Sequence, residues 1–263
     1  MLIVIKCGGS IINNQEELHC LIDNILQLKK SGYKIILVHG GGPDINQLCK
    51  DLQIKSEFVD GLRVTTEEIL AVTQMALLGK TNNNLVYKLN LAGIRAIGLS
   101  GHDSNLLVAE FTNKDKFGFV GEVKKVNTKL ILDLLSLDLL AVIAPLSVDG
   151  SGSTLNVNAD LVASAVASSL KADKLILLSD IDGYYADYKD KNTLVSKLTV
   201  TEIEKLLYVD KSVAGGMIPK LKACVDAVKG GVNSAHIVNG NTTNAILQTV
   251  LNPHSIGTTI IKD

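Results

Sequence analysis

The chain has 263 residues, 46% hydrophobic and 20% charged, enough to bury a full core as one large α/β domain or as two lobes. A formal net charge of −1, a pI near 6.5 and the lack of any long Lys/Arg block argue against tracking a phosphate backbone, so no nucleic acid partner is expected. The most apolar long window, 130–146, is broken by Asp133, Ser136 and Asp138. It falls short of the roughly 18 to 20 clean residues of a membrane span, so no membrane partner is expected either.

Met1 runs straight into a strand-like LIVIK, with no signal-peptide pattern. Cys7, Cys20, Cys49 and Cys224 lie far apart without a C-x-x-C, and the histidines lack H-x-x-x-H spacing. These features predict reduced thiols in a cytoplasm and no protein-built metal site. Short apolar runs predict strands at 2–6, 34–38, 94–98, 140–145, 174–178 and 235–238. Three- and four-residue apolar spacing predicts helices at 15–30, 43–52, 66–78, 82–91, 199–208 and 217–229. Such alternation implies an α/β fold, a three-layer αβα sandwich with a mainly parallel central sheet. At 105–126, LLVAEF and FGFVGEVKKV flank polar NKDK and predict an inserted β-hairpin.

The stretch 153–183 joins a polar turn, a helix and an apolar strand. Asn156, Asn158 and Asp160 occupy alternate positions, and alternate positions of an extended segment point the same way. Two readings fit. The residues form a polar cluster at a helix start, where free N–H groups favour anions, or Asp160 is the helix N-cap, the commonest task of Asp at such a place. The helix that follows is apolar nearly all round except for a stripe of Asp160, Ser164 and Ser168, so it is expected to be buried with one polar line facing a neighbour.

Glycines cluster just past strand ends, as Gly8-Gly9 and Gly40-Gly41-Gly42, and Gly215-Gly216 precedes a helix carrying Lys220. Each pair taken alone fits a tight turn, whereas three clusters in one α/β chain fit bare N–H groups approaching an anion. Two named phosphate motifs fail. Gly79-Lys80-Thr81 lacks the P-loop's earlier glycine, since Gln74 stands there, and it lies inside a helical pattern. No G-x-G-x-x-G follows either early strand. Lys6 closes an otherwise apolar strand, so both Lys6 and Lys220 are candidates to face one phosphoryl group, with Asp160 ionised between them.

With these residues in place the chain resembles the amino acid kinase superfamily. KCGGS, HGGGPDI, FVDGLRVT, GLSGHD, GFVGEV, LNVNAD, LLSDIDG and GGMIPK run from Lys6 to Lys220 in the family's order. HGGGPDI with GLRVT resembles the branch acting on N-acetyl-L-glutamate rather than the aspartokinase, carbamate kinase or uridylate kinase branches. The resemblance implies ATP-dependent phosphorylation of the γ-carboxylate of N-acetyl-L-glutamate, the second step of arginine biosynthesis, with Mg²⁺ held mainly by nucleotide phosphates and water. It implies that Lys6 and Lys220 contact the transferring phosphoryl group and that Asp160 organises both. Gly41 and Gly42 would meet the reacting carboxylate, Arg63 the α-carboxylate, and Asn156 and Asn158 would complete the pocket. Gly8, Gly9, Ser179, Asp180 and Tyr184 would surround ATP. Residues 1–158 would form a lobe for substrate and dimerisation and 159–263 an ATP lobe of one continuous domain. Arginine-inhibited relatives carry a helix ahead of the first strand, which this sequence lacks, so a homodimer without arginine feedback is expected. Ser104 stands where the family commonly has glycine, and Asn83 where lysine often follows asparagine. The rival readings are a same-fold kinase for N-acetyl-aminoadipate or a carrier-linked amino acid, and a catalytically silent amino acid sensor.

Overall fold

The computed structural model describes residues 1–213, 215–253 and 255–263. In chain order the strands are β1 (Leu2–Cys7), β2 (Lys34–His39), β3 (Phe58–Val59), β4 (Leu62–Arg63), β5 (Ala96–Leu99), β6 (Leu107–Phe111), β7 (Gly121–Val126), β8 (Leu140–Ile143), β9 (Leu146–Val148), β10 (Thr154–Asn156), β11 (Lys174–Ser179), β12 (Lys197–Thr199), β13 (Ser234–Asn239) and β14 (Thr258–Ile261). The α-helices are α1 (Gly9–Asn13), α2 (Gln15–Lys30), α3 (Gly42–Asp51), α4 (Glu67–Gln74), α5 (Asn83–Leu91), α6 (Lys114–Phe117), α7 (Thr128–Ser136), α8 (Ala159–Leu170), α9 (Val200–Glu204), α10 (Met217–Lys229) and α11 (Ala245–Leu251).

An eight-stranded sheet in the order β12-β14-β13-β11-β1-β2-β8-β5 forms the middle layer. Its pairs are parallel except β13 with β14. Strand alternation decides what each face buries. Ile3, Ile5 and Cys7 pack with α2, α5 and α11, while Val4 packs with α7, α8 and α10. Both faces are covered, so β1 and β2 read as unbroken apolar runs. From central β1 the sheet grows one way through β2 and the other way through β11. The connections therefore part at the carboxyl end of β1, where parallel sheets open a ligand crevice.

The six predicted strands are present to within two residues at each end, and the predicted helices 15–30 and 217–229 match α2 and α10. The hairpin at 105–126 is also present, but larger than expected. β6 and β7 pair antiparallel with a slip between Val108 and Ala109, α6 fills the loop, and β9 and β10 extend them to a separate four-stranded sheet. Predicted helices 66–78 and 82–91 are one continuous rod: α4 passes into a π-helical stretch, Met75–Asn82, and then into α5. Gly79-Lys80-Thr81 lies within that stretch, which agrees with its rejection as a P-loop. Strands β3, β4, β9, β10, β12 and β14 and helices α1, α6, α7 and α11 were not foreseen.

Candidate active site

Lys6 shares the face of β1 on which Val4 meets α8, so its side chain runs under the start of α8. That start is set by Asn158, whose Oδ1 accepts from the N–H groups of Asp160 at 2.8 Å and Leu161 at 3.3 Å. The N-cap is thus Asn158 and not Asp160, which corrects one of the two sequence readings. The physical reason is that the capping task is already filled two residues earlier, leaving the Asp160 carboxylate free. Its Oδ1 lies 2.8 Å from Lys6 Nζ, and Lys220 Nζ donates to its Oδ2 at 3.0 Å. Lys220 stands in the first turns of α10.

Asp160 is only 4% exposed. Burial alone would raise its pKa, but the two ammonium groups outweigh burial and hold the carboxyl at about 2. It is ionised at any physiological pH. Of the polar stripe foreseen on α8, Asp160 faces the lysines and Ser168 donates to the Asp226 carbonyl oxygen at 3.4 Å.

A cavity of about 190 Å³ brings together Lys6, Gly41, Gly42, Arg63, Asn156, Asn158 and Asp160. Arg63 stacks over Phe58 at 4.6 Å and donates to Asn46 Oδ1 at 2.7 Å and to Ser56 Oγ. No carboxylate among the described residues pairs with it, and burial lowers its pKa, as expected of a desolvated cation. Asn156 Nδ2 donates to Thr65 Oγ1 at 3.1 Å. Neither the Gly41 nor the Gly42 N–H donates to a backbone group among the described residues outside α3. Asn46, Ser56 and Phe58, which hold the guanidinium, escaped the sequence reading. The available signal was Asp60-Gly61 between apolar pairs, a hairpin turn with φ of 51° and 79° that folds Phe58 back onto Arg63.

A second cavity, about 490 Å³, gathers Asp180, Tyr184, Gly215, Gly216, Met217 and Lys220. Ser179 ends β11 beside it, and its hydroxyl donates to Asp180 Oδ1 at 3.1 Å. Gly8 caps α1 at the end of β1, where a Cβ would make only ordinary contact with Ser10 Oγ at 3.5 Å, whereas a Cβ on Gly9 would come within 2.7 Å of Pro43 Cδ. Gly8, Gly9 and Ser179 thus adjoin the site without lining either cavity. The first cavity contains Lys6, the second Lys220, and Asp160 bonds to both. Among the described residues no cluster of three His, Cys, Asp or Glu side chains is poised to hold a metal ion.

A layered, mainly parallel sheet with two cations sharing one buried carboxylate where two cavities meet defines a phosphate-handling α/β enzyme. The family model described as the amino acid kinase family matches residues 1–239, and the chain belongs to that family. Among curated relatives it is similar to the acetylglutamate kinase of Campylobacter hominis, 44% identical over 98% of this chain and 90% of the relative. It is likewise similar to those of Petrotoga mobilis, 40% identical over 99% and 87%, and Methanococcus maripaludis, 40% identical over 99% and 92%. Among solved structures, smu.665 of Streptococcus mutans superposes with a TM-score of 0.84 at 30% identity, covering 100% of this chain and 99% of that one. Giardia lamblia carbamate kinase bound to AMP-PNP shares the fold, with a TM-score of 0.72 at 18% identity over 100% and 98% of the two chains.

Proposed function

We propose that the protein transfers the γ-phosphoryl group of ATP to the γ-carboxylate of N-acetyl-L-glutamate, giving the acyl phosphate and ADP, the second step of arginine biosynthesis. The observation that carries this reading is the Lys6–Asp160–Lys220 ion triad, because it joins a cavity holding an arginine with no carboxylate partner among the described residues to a second, larger one. Curated relatives named acetylglutamate kinase over nearly the whole chain support the choice of substrate.

The nucleophile is a carboxylate with an ordinary pKa near about 4.3, so it arrives ionised and no general base is needed. Asp160, ionised and occupied by two ammonium groups, is an organiser rather than a proton acceptor. The substrate sits in the smaller cavity, with Arg63 forked onto its α-carboxylate, Asn156 and Asn158 alongside, and the Gly41 and Gly42 N–H groups toward the reacting carboxylate. ATP occupies the larger cavity against Asp180 and Tyr184, with Gly8, Gly9 and Ser179 at its phosphate end. Lys6 and Lys220 then neutralise charge spread over the phosphoryl oxygens during in-line transfer. Among the described residues the donor set has no carboxylate cage, so Mg²⁺ would be held by nucleotide phosphates and water, where it would shield phosphate charge. Residues 1–158 serve as substrate lobe and 159–263 as nucleotide lobe, and the enzyme works in the cytoplasm as a homodimer.

Coupled ADP release with N-acetyl-L-glutamate and with N-acetyl-aminoadipate tests the assignment. Turnover of the glutamate compound at least about tenfold more efficient is expected, since one methylene is worth about 1–3 kcal/mol. The reverse order, or no turnover of either, would sink it.

A further inference from the structure

His39 ends β2 directly before the glycine turn and is 0% exposed, yet it lines neither cavity. Its Nδ1 lies 2.8 Å from the Gly40 carbonyl oxygen and its Nε2 lies 3.0 Å from Asn82 Nδ2. A carbonyl oxygen only accepts, so Nδ1 carries the proton. The Asn82 amide also donates to the Val142 carbonyl oxygen at 3.0 Å, which fixes it as the donor toward Nε2. Burial drives the His39 pKa down to about 4, keeping the ring neutral. The ring is therefore locked in the Nδ1–H tautomer, with Asn82 on one side and Gly40 on the other.

The Gly40 carbonyl and the Gly41 N–H belong to one trans peptide and point in opposite directions. We infer that His39, held by Asn82, is a positioning residue that pins the Gly40–Gly41 peptide plane and so aims the Gly41 N–H into the substrate cavity. This rests on the reading that Gly41 meets the substrate carboxylate. Independent contacts from the π-helical stretch converge on the same turn. Leu77 Cδ2 fills the space 2.3 Å from where a Gly41 Cβ would stand, and Thr81 Oγ1 donates to Asp44 Oδ2 at 2.6 Å in the first turn of α3. Lys80 pairs with the other Asp44 oxygen at 2.9 Å. On the far side of the Asn82 amide, its Oδ1 lies 2.0 Å from where a Cβ on Gly98 would stand, so β5 is glycine at the point of contact. A π-helical widening, frequent at functional sites, is what brings Leu77, Thr81 and Asn82 to bear together.

Two substitutions separate positioning from packing. In His39→Asn the amide nitrogen hangs from Cγ as Nδ1 does and still reaches Gly40, whereas in His39→Gln it lies near the place of Nε2 and does not. His39→Asn is expected to keep kcat within about tenfold of wild type, and His39→Gln to lose about a hundredfold in kcat, the size of one lost oxyanion donor, with KM for ATP little changed. Equal kcat values in the two folded variants would overturn the inference. Nitrogen NMR of the ring decides without activity: the Nδ1–H tautomer is expected from about pH 6 to 9, a range above the pKa that burial imposes, and an Nε2–H tautomer overturns the inference. If wild type turns over no acyl glutamate, the proposed function fails. The tautomer, and the shift of the Gly41 amide resonance on adding N-acetyl-L-glutamate, still report on the peptide plane.

Discussion

Asp160 is one buried carboxylate that holds two distant lysines and that the proposed function makes the organiser of catalysis. Its pKa of about 2 lies below the ordinary 3.8, so the ionised form stabilises the fold, fully above about pH 4 and decreasingly as pH falls through 2. A shift of this size corresponds to roughly 2 kcal/mol. Urea unfolding between pH 5 and 2.5 is expected to lose about that much more stability in wild type than in Asp160→Asn. Lys6→Ala and Lys220→Ala are each expected to lower kcat at least about a hundredfold, read in steady-state assays, because each removes charge that matters most in the transition state. Arg63→Lys is expected to raise KM for the acyl amino acid at least about tenfold and leave KM for ATP alone, since ammonium cannot fork onto a carboxylate or stack as guanidinium does. At this scale the sequence spoke clearly through Lys6, Asp160 and Lys220, and in the structure the two ammonium groups lie 2.8 and 3.0 Å from the Asp160 carboxylate. The cap expected at Asp160 falls on Asn158 because capping depends on the residue at which the helix begins, a boundary that sequence locates only to within one or two positions.

Among elements, those with long apolar periods were legible and those made by distant pairing were not. β1, β2 and β11 declare themselves as unbroken runs, whereas β12 and β14 are short and owe their existence to each other and to β13. The π-helical stretch was hidden because its apolar spacing reads as two ordinary helices either side of Gly79. One departure from the family pattern gains a physical meaning. Ser104, where glycine is common, adopts φ 54° and ψ 35°, the left-handed region that favours glycine. Ser104→Gly relieves that strain and is expected to stabilise the protein by about 0.5–1 kcal/mol, raising Tm by about 1–4 °C with kcat unchanged.

For the molecule as a whole, β5 ends the central sheet on one side with no further strand among the described residues, and Ile97 on it and Tyr87 and Leu91 on α5 are exposed. An open edge flanked by apolar side chains supports the proposed homodimer. Light scattering is expected to give twice 28.1 kDa, and Ile97→Lys to shift the mass toward one chain. The order of the central sheet also has a temporal side. β1 pairs with β11, and the Leu2 N–H donates to an Asp173 oxygen 171 residues away. At roughly 5–20 residues per second of synthesis, one edge of the first strand waits on the order of ten to thirty seconds for its partner. For most of that interval Asp160 has not yet been made and cannot stand beside Lys6, and an apolar strand edge stands open to other chains. Nascent chains halted before β11 are therefore the forms of this protein most in need of a chaperone.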